Sequence, residues 1–263
     1  MNTFLDLPHR DAKPRARGLT HVLDKGLPVA HLAPLLATSG AYVDLWKFGW
    51  GTAYLDPGLE AKLAILGEHE VRSCLGGTLL EVAWAQGKVA ELLAWAAEAG
   101  FAYVEVSRGA VPMPVEEKRE LIGMAGARFT VVSEVGAKDP AAVVSVRQWV
   151  EEVVGDLDAG SALVLTEGRE SGTVGLFRPD GSVRSDLVDA LVGAVDVDQL
   201  VFEAPRKDQQ AWFINRFGAN VNLANVAVDE ALGVEALRLG LRADTLLMGA
   251  VVAGDVMSGT ARS

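Results

Sequence analysis

Residues 101–136, FAYVEVSRGAVPMPVEEKRELIGMAGARFTVVSEVG, contain one full copy of the pattern that decides the fold of this chain. Two short apolar runs, Tyr103–Ser107 and Thr130–Gly136, each predict a buried strand. Between them, Val115–Ala127 predicts a helix that begins after Pro114 and carries acidic residues in its first turn. A strand, a helix and a second strand in this order are typical of a parallel β–α–β unit.

The same unit recurs on both sides of this segment. Further strands are predicted at Leu19–Asp24, Tyr42–Gly49, Val71–Gly77, Ala162–Gly168, Leu200–Ala204 and Val221–Val226. Further helical stretches are predicted at Pro28–Thr38, Leu59–Glu70, Thr78–Ala99, Val143–Ala159, Ser185–Val195, Asp208–Phe217 and Val234–Gly240. Eight β–α units in 263 residues predict an α/β protein with a single (β/α)₈ TIM barrel rather than an open doubly wound sheet. We assign the barrel to residues 18–263 and expect residues 1–17 to be an irregular lead-in that covers the bottom of the barrel or a neighbouring subunit.

The overall charge argues against binding to nucleic acids or to anionic membranes. The chain has 24 Lys and Arg against 35 Asp and Glu, a net charge of −11, and no basic run. No uncharged apolar run is long enough for a membrane span, and the N-terminus lacks the apolar core of a signal peptide. The single cysteine, Cys74, excludes a disulfide within the chain and is expected to be buried in a strand. We therefore expect a soluble cytoplasmic protein.

Polar side chains accumulate where each predicted strand ends, which is where barrel enzymes carry their active sites. They are Asp24, Lys25, Lys47, Thr78, Glu105, Ser107, Glu134, Lys138, Glu167, Arg169, Glu170, Glu203, Arg206, Lys207, Asn222 and Asn225. A purely structural barrel has no need for ionisable or amide groups at every strand end. The pattern predicts an active site at this mouth.

Four of these residues, Glu105, Glu134, Glu167 and Glu203, form a group of carboxylates that suits a cation preferring oxygen ligands, such as Mg²⁺. The alternative is a metal-free network with Lys47, Lys138 and Arg169, which are also suited to phosphate or carboxylate groups of a ligand. Zinc is disfavoured because the four histidines are scattered and none has ligand spacing with Cys74. The chain also lacks the glycine-rich motifs of nucleotide-binding loops.

Several segments resemble the phosphosulfolactate synthase family, and the resemblance extends from about Gly18 to Thr245. They are LDKGLP at 23–28, KFGWGT at 47–52, GGTLLE at 76–81, EVG at 134–136, LDAG at 157–160, EGRESG at 167–172, FEAP at 202–205 and NLANV at 222–226. The resemblance implies a (β/α)₈ barrel that catalyses Mg²⁺-dependent addition of sulfite to phosphoenolpyruvate, giving (2R)-phospho-3-sulfolactate. This reaction serves coenzyme M or sulfolactate formation. The resemblance also implies a homo-oligomer, with a trimer as one form considered.

The resemblance further implies roles for individual residues. Lys138 is the expected general acid, with simple anion binding as its alternative role, and Glu105 and Arg169 complete the catalytic group. The expected substrate-binding residues are Lys25, Lys47, Arg169, Asn222 and Asn225. The expected metal ligands are Glu134, Glu167 and Glu203.

The sequence differs from the family pattern after the fourth strand, where Ser107, Arg108 and Gly109 replace the usual Asp-Gly step. A Lys that is frequent in the family is also replaced by Ala137. Arg108 favours an alternative enzyme that keeps the enolate chemistry and uses a different nucleophile or acceptor. A second alternative is a non-catalytic, stress-related family member, against which the retained EGRESG, KFGWGT and Lys138 argue.

Overall fold

The computed structural model describes residues 4–138 and 144–246, and it contains the predicted barrel. Eight parallel strands close in chain order, each hydrogen-bonded to the next and the last to the first. The strands are β1 Thr20–Asp24, β2 Leu45–Phe48, β3 Arg72–Leu75, β4 Tyr103–Val106, β5 Thr130–Val135, β6 Leu163–Thr166, β7 Leu200–Glu203 and β8 Leu223–Ala227. The single (β/α)₈ TIM barrel is thereby confirmed. Positions 1–3, 139–143 and 247–263 of the expected lead-in and barrel lie outside the described residues.

Helices separate consecutive strands and surround the barrel. They are α1 Val29–Ser39, α2 Thr52–Leu55, α3 Leu59–Glu68, α4 Gly77–Ala85, α5 Val89–Ala99, α6 Val115–Gly126, α7 Val146–Asp158, α8 Ser185–Ala194, α9 Lys207–Phe217 and α10 Ala231–Arg238. Among the described residues, no helix combines the length and the apolar character needed to span a membrane.

The expected continuous helical stretch Thr78–Ala99 is wrong, because the chain forms α4 and α5 with a turn between them. Gly87 lies in this turn with φ of 67°, a left-handed conformation that glycine adopts without steric cost. The Ala- and Leu-rich residues on both sides of Gly87 hide the break from a hydrophobicity pattern. The short helix α2 was also not predicted.

The apolar core has two layers, since barrel strands are buried on both faces. The outer layer lies between strands and helices and includes Trp46, Phe48 and Phe202. The inner layer fills the lower barrel with Val132, Leu165, Val201 and Ala224. Cys74 is buried in β3, as expected.

Residues 4–19 contain no helix or strand and pass under the barrel, at the N-terminal ends of its strands. Arg10 donates to Glu235 at 3.1 Å and to Asn220 at 3.0 Å. Arg15 lies 3.5 Å from Asp44, the buried residue just before β2. The lead-in therefore covers the bottom of the barrel and leaves the opposite mouth open.

Candidate active site

The open mouth, at the C-terminal ends of the strands, contains a cavity of about 240 Å³. Successive strand residues alternate between the inside and the outside of the barrel, so one polar residue near the end of several strands points inward. The cavity is lined by Leu23, Lys47, Gly49, Trp50, Gly76, Gly77, Thr78, Glu105, Ala110, Glu134, Lys138, Glu167, Arg169, Glu170, Glu203 and Asn225. The structure thus brings together most of the residues expected from strand ends.

Lys47 lies on the floor of this cavity between two carboxylates. Its Nζ is 2.9 Å from Glu105 Oε2 and 3.4 Å from Glu203 Oε1. Burial alone would lower the pKa of Lys47, but Glu105, Glu203 and Glu134 outweigh it and raise the pKa. Lys47 is therefore a fixed positive charge at the bottom of the cavity.

Glu134, Glu167 and Glu203 form the tightest carboxylate cluster of the described residues. One oxygen from each lies within 4.8 Å of the others, and all three side chains are buried. Burial, Glu134 and Glu203 raise the pKa of Glu167 well above its usual value. Its Oε2 has no hydrogen-bond partner among the described residues. An unpartnered buried oxygen beside two further carboxylates is an arrangement that a divalent cation would stabilise.

Lys138 reaches the cavity from the loop after β5. Its Nζ lies 3.0 Å from Glu134 Oε1 and 3.1 Å from Glu81 Oε1. Burial works against its positive charge, but Glu134 and Glu81 outweigh that effect and raise the pKa of Lys138. Arg169, which follows β6, donates to the Lys138 carbonyl oxygen at 3.0 Å. The Arg169 guanidinium is therefore held against the Lys138 backbone, and both residues line the cavity.

Asn225 is aimed at the cavity by an irregularity in β8. The pairing of β1 with β8 shifts by one residue between Thr20 and Val22, which is the signature of a β-bulge. Asn225 has φ of 56°, an uncommon value for a residue other than glycine. Its Oδ1 is buried and has no partner among the described residues. A strained, unpartnered amide in a cavity is typical of a ligand-binding position.

Asn222, by contrast, is not brought to the cavity. It precedes β8 at the bottom of the barrel, where its side chain accepts from the Leu19 amide at 2.9 Å and donates to the carbonyls of Asp198 and Leu200. Its hydrogen bonds join the chain before β1 to the start of β7. This position corrects the expectation that Asn222 contacts substrate, and we exclude it from the candidate site.

Two further residues expected at the mouth, Lys25 and Asp24, do not line the cavity. Lys25 is exposed at the rim, with its Nζ 5.1 Å from the centre of the Trp50 ring, and it does not line the cavity. Asp24 is fully buried on the outer side of the barrel, where it accepts from Trp46 and Lys62 at 3.1 Å each. Asp24 also accepts from the Gly26 and Leu27 amides, so it fixes the loop after β1 rather than lining the cavity.

Arg108, the main departure from the family pattern, also points away from the cavity. Its guanidinium donates to both oxygens of Glu152 on α7, at 2.9 and 2.6 Å. Glu152 in turn accepts from the buried Lys118 at 2.9 Å. Arg108 thus attaches the loop after β4 to the helical layer.

Glu81 and two backbone amides also belong to this site, although they were not among the residues expected from the sequence. Glu81 is buried on α4 and contacts Lys138, Ser107 and the Ala110 amide. The Gly77 amide donates to Glu105 and the Gly168 amide donates to Glu203, each at 2.9 Å. A signal for Glu81 existed in the isolated carboxylate of an otherwise apolar helical stretch, GGTLLEVAWA.

A Cβ atom on Gly77 would lie 2.2 Å from Ser107 Oγ, which shows why glycine is needed at the start of α4. The same holds for Gly168, where a Cβ atom would lie 2.9 Å from the Glu203 carbonyl oxygen. These glycines allow the backbone to approach the carboxylates closely enough to orient them.

Solved structures with low sequence identity share the barrel fold. Phosphonopyruvate hydrolase, in a complex with oxalate and Mg²⁺, has a TM-score of 0.55 at 15% identity, covering 83% of this chain and 79% of that one. The 3-keto-L-gulonate-6-phosphate decarboxylase from Vibrio cholerae has a TM-score of 0.53 at 11% identity, covering 84% and 95%. At these identities the likeness shows the fold alone.

Sequence comparison is far more specific. The chain is 42% identical to the phosphosulfolactate synthase of Bacillus subtilis, over 94% of this chain and 100% of the relative. It is 42% identical to the phosphosulfolactate synthase of Methanocaldococcus jannaschii, over 87% of this chain and 94% of the relative. Residues 8–244 match the family described as (2R)-phospho-3-sulfolactate synthase (ComA). A match over nearly the whole barrel and its mouth shows that this chain belongs to the (2R)-phospho-3-sulfolactate synthase family.

Proposed function

We propose that this protein catalyses the Mg²⁺-dependent addition of sulfite to phosphoenolpyruvate, forming (2R)-phospho-3-sulfolactate. The observation that carries the proposal is the cavity in which clustered carboxylates lie beside three cations, Lys47, Lys138 and Arg169. Family membership supports the same reaction through the name of the product. On the resemblance described above, we further propose a cytoplasmic homo-oligomer whose product serves coenzyme M or sulfolactate formation.

The residues of the cavity fit a Mg²⁺ ion held by Glu134, Glu167 and Glu203. The cavity is lined by five carboxylates against three cations, so the ionised site carries two excess negative charges. A site of that charge would repel phosphoenolpyruvate and sulfite, which are both anions. One divalent cation would offset this excess, and it would also give the unpartnered Glu167 Oε2 a partner. When bound, Mg²⁺ would supply electrostatic stabilisation for the negative charge that develops on the substrate carboxylate.

The cationic residues of the chain can bind both anions and deliver the proton. In the proposed reaction the sulfur lone pair of sulfite forms a bond to C3, the C2–C3 double bond opens, and its electron pair moves toward C2 and the carboxylate. Lys47 and Arg169 both line the cavity, which supports the proposal that they bind the anionic groups. We assign to Lys138 the transfer of a proton to C2, after which solvent or bisulfite returns a proton to its amine, so the addition needs no other co-reactant.

The alternative with a different nucleophile or acceptor depended on Arg108 altering the mouth. The paired contact of Arg108 with Glu152 removes its charge from the cavity wall, so this residue does not favour a changed substrate. The non-catalytic alternative has no supporting observation in the described residues, since the cavity retains its buried acidic and basic groups.

The test is incubation of the purified protein with Mg²⁺, phosphoenolpyruvate and sulfite, with the product identified by mass and its configuration by chiral chromatography. Parallel reactions omit each component or replace sulfite with sulfate, which lacks the sulfur lone pair. We expect (2R)-phospho-3-sulfolactate only in the complete mixture. Absence of this product under conditions where the protein is folded and holds Mg²⁺ would refute the proposed function.

A further inference from the structure

We propose that Glu81 is a positioning residue that holds the Lys138 ammonium group over the cavity during turnover. Glu81 does not line the cavity and is 1% exposed, so it has no access to substrate. It acts instead through Lys138, whose Nζ lies 3.1 Å from Glu81 Oε1. This inference rests on the proposed function, because it assigns a role within that reaction.

The Glu81 carboxylate is itself fixed from two sides. The Ser107 hydroxyl donates to Oε1, and the Ala110 amide donates to Oε2 at 2.7 Å. Both donors belong to the segment after β4, whereas Glu81 belongs to α4 and Lys138 to the segment after β5. Glu81 therefore joins three consecutive β–α units of the barrel at one buried point.

Lys138 has two carboxylate partners, and they differ in what else they can do. Glu134 lines the cavity and belongs to the carboxylate cluster proposed for Mg²⁺. Glu81 is directed only at Lys138 and the segment after β4. When Glu134 is engaged by the cation, Glu81 is the partner that remains to hold Lys138 in place.

The rest of the Lys138 side chain has little freedom. A Cβ atom on Gly109 would lie 2.9 Å from Lys138 Cγ and 3.0 Å from Cδ, so the lysine stem packs closely along this glycine. The Lys138 carbonyl oxygen accepts from Arg169. With the stem and backbone fixed, the contact with Glu81 decides where the ammonium group lies.

A double-mutant cycle tests this role. The variants are Glu81→Gln, Lys138→Ala and the combination of both, with kcat and KM measured for each and folding checked by thermal melting. Glu81→Gln should lower kcat at least ~10-fold, because a group that acts on the reacting atoms loses its orientation. The double variant should be no slower than Lys138→Ala alone, because Glu81 has no effect once Lys138 is absent. The exposed Glu98→Gln is the matched control and should leave kcat unchanged.

Losses that multiply in the double variant would overturn the proposal, as would wild-type kcat in folded Glu81→Gln. If Glu81→Gln does not fold, Ser107→Ala takes its place, since it loosens Glu81 without removing a charge. Its smaller loss of kcat should likewise disappear in the Lys138→Ala background, and a loss that persists there also overturns the proposal. The wild-type reaction separates this question from the proposed function, because only failure of the wild type to form product contradicts the latter.

Discussion

Glu134, near the end of β5, and Glu167, directly after β6, have carboxylate oxygens within 4.8 Å of each other, and their pKa values move in opposite directions. Burial opposes ionisation of Glu134, but Lys138 and Lys47 outweigh it and lower the pKa of this residue. Burial and two neighbouring carboxylates raise the pKa of Glu167. In the absence of a cation, a proton bound by the cluster is therefore held more tightly by Glu167 than by Glu134.

Chelation should abolish the proposed activity. Glu134, Glu167 and Glu203 leave a negative cavity without a cation, and both anionic substrates would be repelled. We expect no turnover after EDTA treatment and gel filtration, and recovery on addition of Mg²⁺ or Mn²⁺. Full activity in a sample shown by elemental analysis to be metal-free would contradict this prediction.

Mg²⁺ binding should release protons and strengthen as the pH rises. The cation binds the ionised form of Glu167, whose raised pKa leaves it protonated at pH values where an ordinary carboxyl group is ionised. Affinity is therefore lost as the pH falls through this raised pKa and levels off above it. Isothermal titration calorimetry in buffers of different ionisation enthalpy measures both effects. Glu167→Gln should bind Mg²⁺ more weakly and release fewer protons, and pH-independent affinity in the wild type would rule out the idea.

Lys138→Ala and Arg169→Ala should give different kinetic profiles. A general acid acts as the carbon–sulfur bond forms, so removal of Lys138 should lower kcat by ~10²-fold or more and change the KM for phosphoenolpyruvate less. Removal of Arg169 should raise KM as well as lower kcat, because it binds an anionic group in the cavity. Steady-state kinetics of both variants in one assay makes the comparison. Matching profiles would mean that the acid has been misidentified.

Asn225 should contribute to binding more than to stability. Its Oδ1 is buried in the cavity without a partner among the described residues, and its φ is 56°. Asn225→Gly keeps this backbone conformation without strain, whereas Asn225→Ala keeps the Cβ atom but loses the polar side chain that lets asparagine adopt a left-handed conformation, at a cost of about 1 kcal/mol. Both variants should raise KM several-fold, but only Asn225→Ala should melt at a lower temperature. If Asn225→Gly keeps the wild-type KM, substrate binding depends on the backbone bulge and not on the Asn225 side chain.

His21 should make the folded state less stable in acid. Burial, and then Lys47, lower the pKa of His21 well below 6.5, so the folded state keeps it neutral. The unfolded chain takes up this proton below about pH 6.5, so stability falls with decreasing pH by up to ~1.4 kcal/mol per unit until the folded pKa is reached.

Guanidinium unfolding at several pH values measures this slope. His21→Leu should flatten it relative to the wild type, with the exposed His31→Gln as the comparison variant. An unchanged slope in His21→Leu would assign the acid sensitivity to other groups.

The barrel could be predicted because strands buried on both faces read as apolar runs, and the turns between units contain recognisable polar residues. It was harder to predict at which end of a strand a given residue lies. Asn222 and Asn225 are only three residues apart, yet one lies at the bottom of the barrel and the other at the cavity. Three residues of a β-strand span roughly 10 Å. A small error in the predicted start of β8 therefore moves a side chain from the bottom of the barrel to its mouth.

Glu81 could not be assigned from sequence for a different reason. Its role depends on contacts with Ser107 and Lys138, which are 26 and 57 residues away in the chain. A helix position indicates burial but not which neighbouring loop will supply the partner. The carboxylates at strand ends needed no such knowledge, because the barrel itself brings strand ends together.

The contact between Arg10 and Glu235 joins positions 225 residues apart in the chain, which has a consequence for biosynthesis. At ribosomal rates of ~5–20 residues per second, Arg10 is made roughly 10 to 45 seconds before its partner. The lead-in therefore docks under the barrel late, after α10 has been synthesised. Before that, until β8 has been made, β1 also offers an unpaired sheet edge, and such edges promote aggregation. A nascent chain halted before β8 would carry this edge together with a loose lead-in, which makes it a natural client for chaperones and proteases.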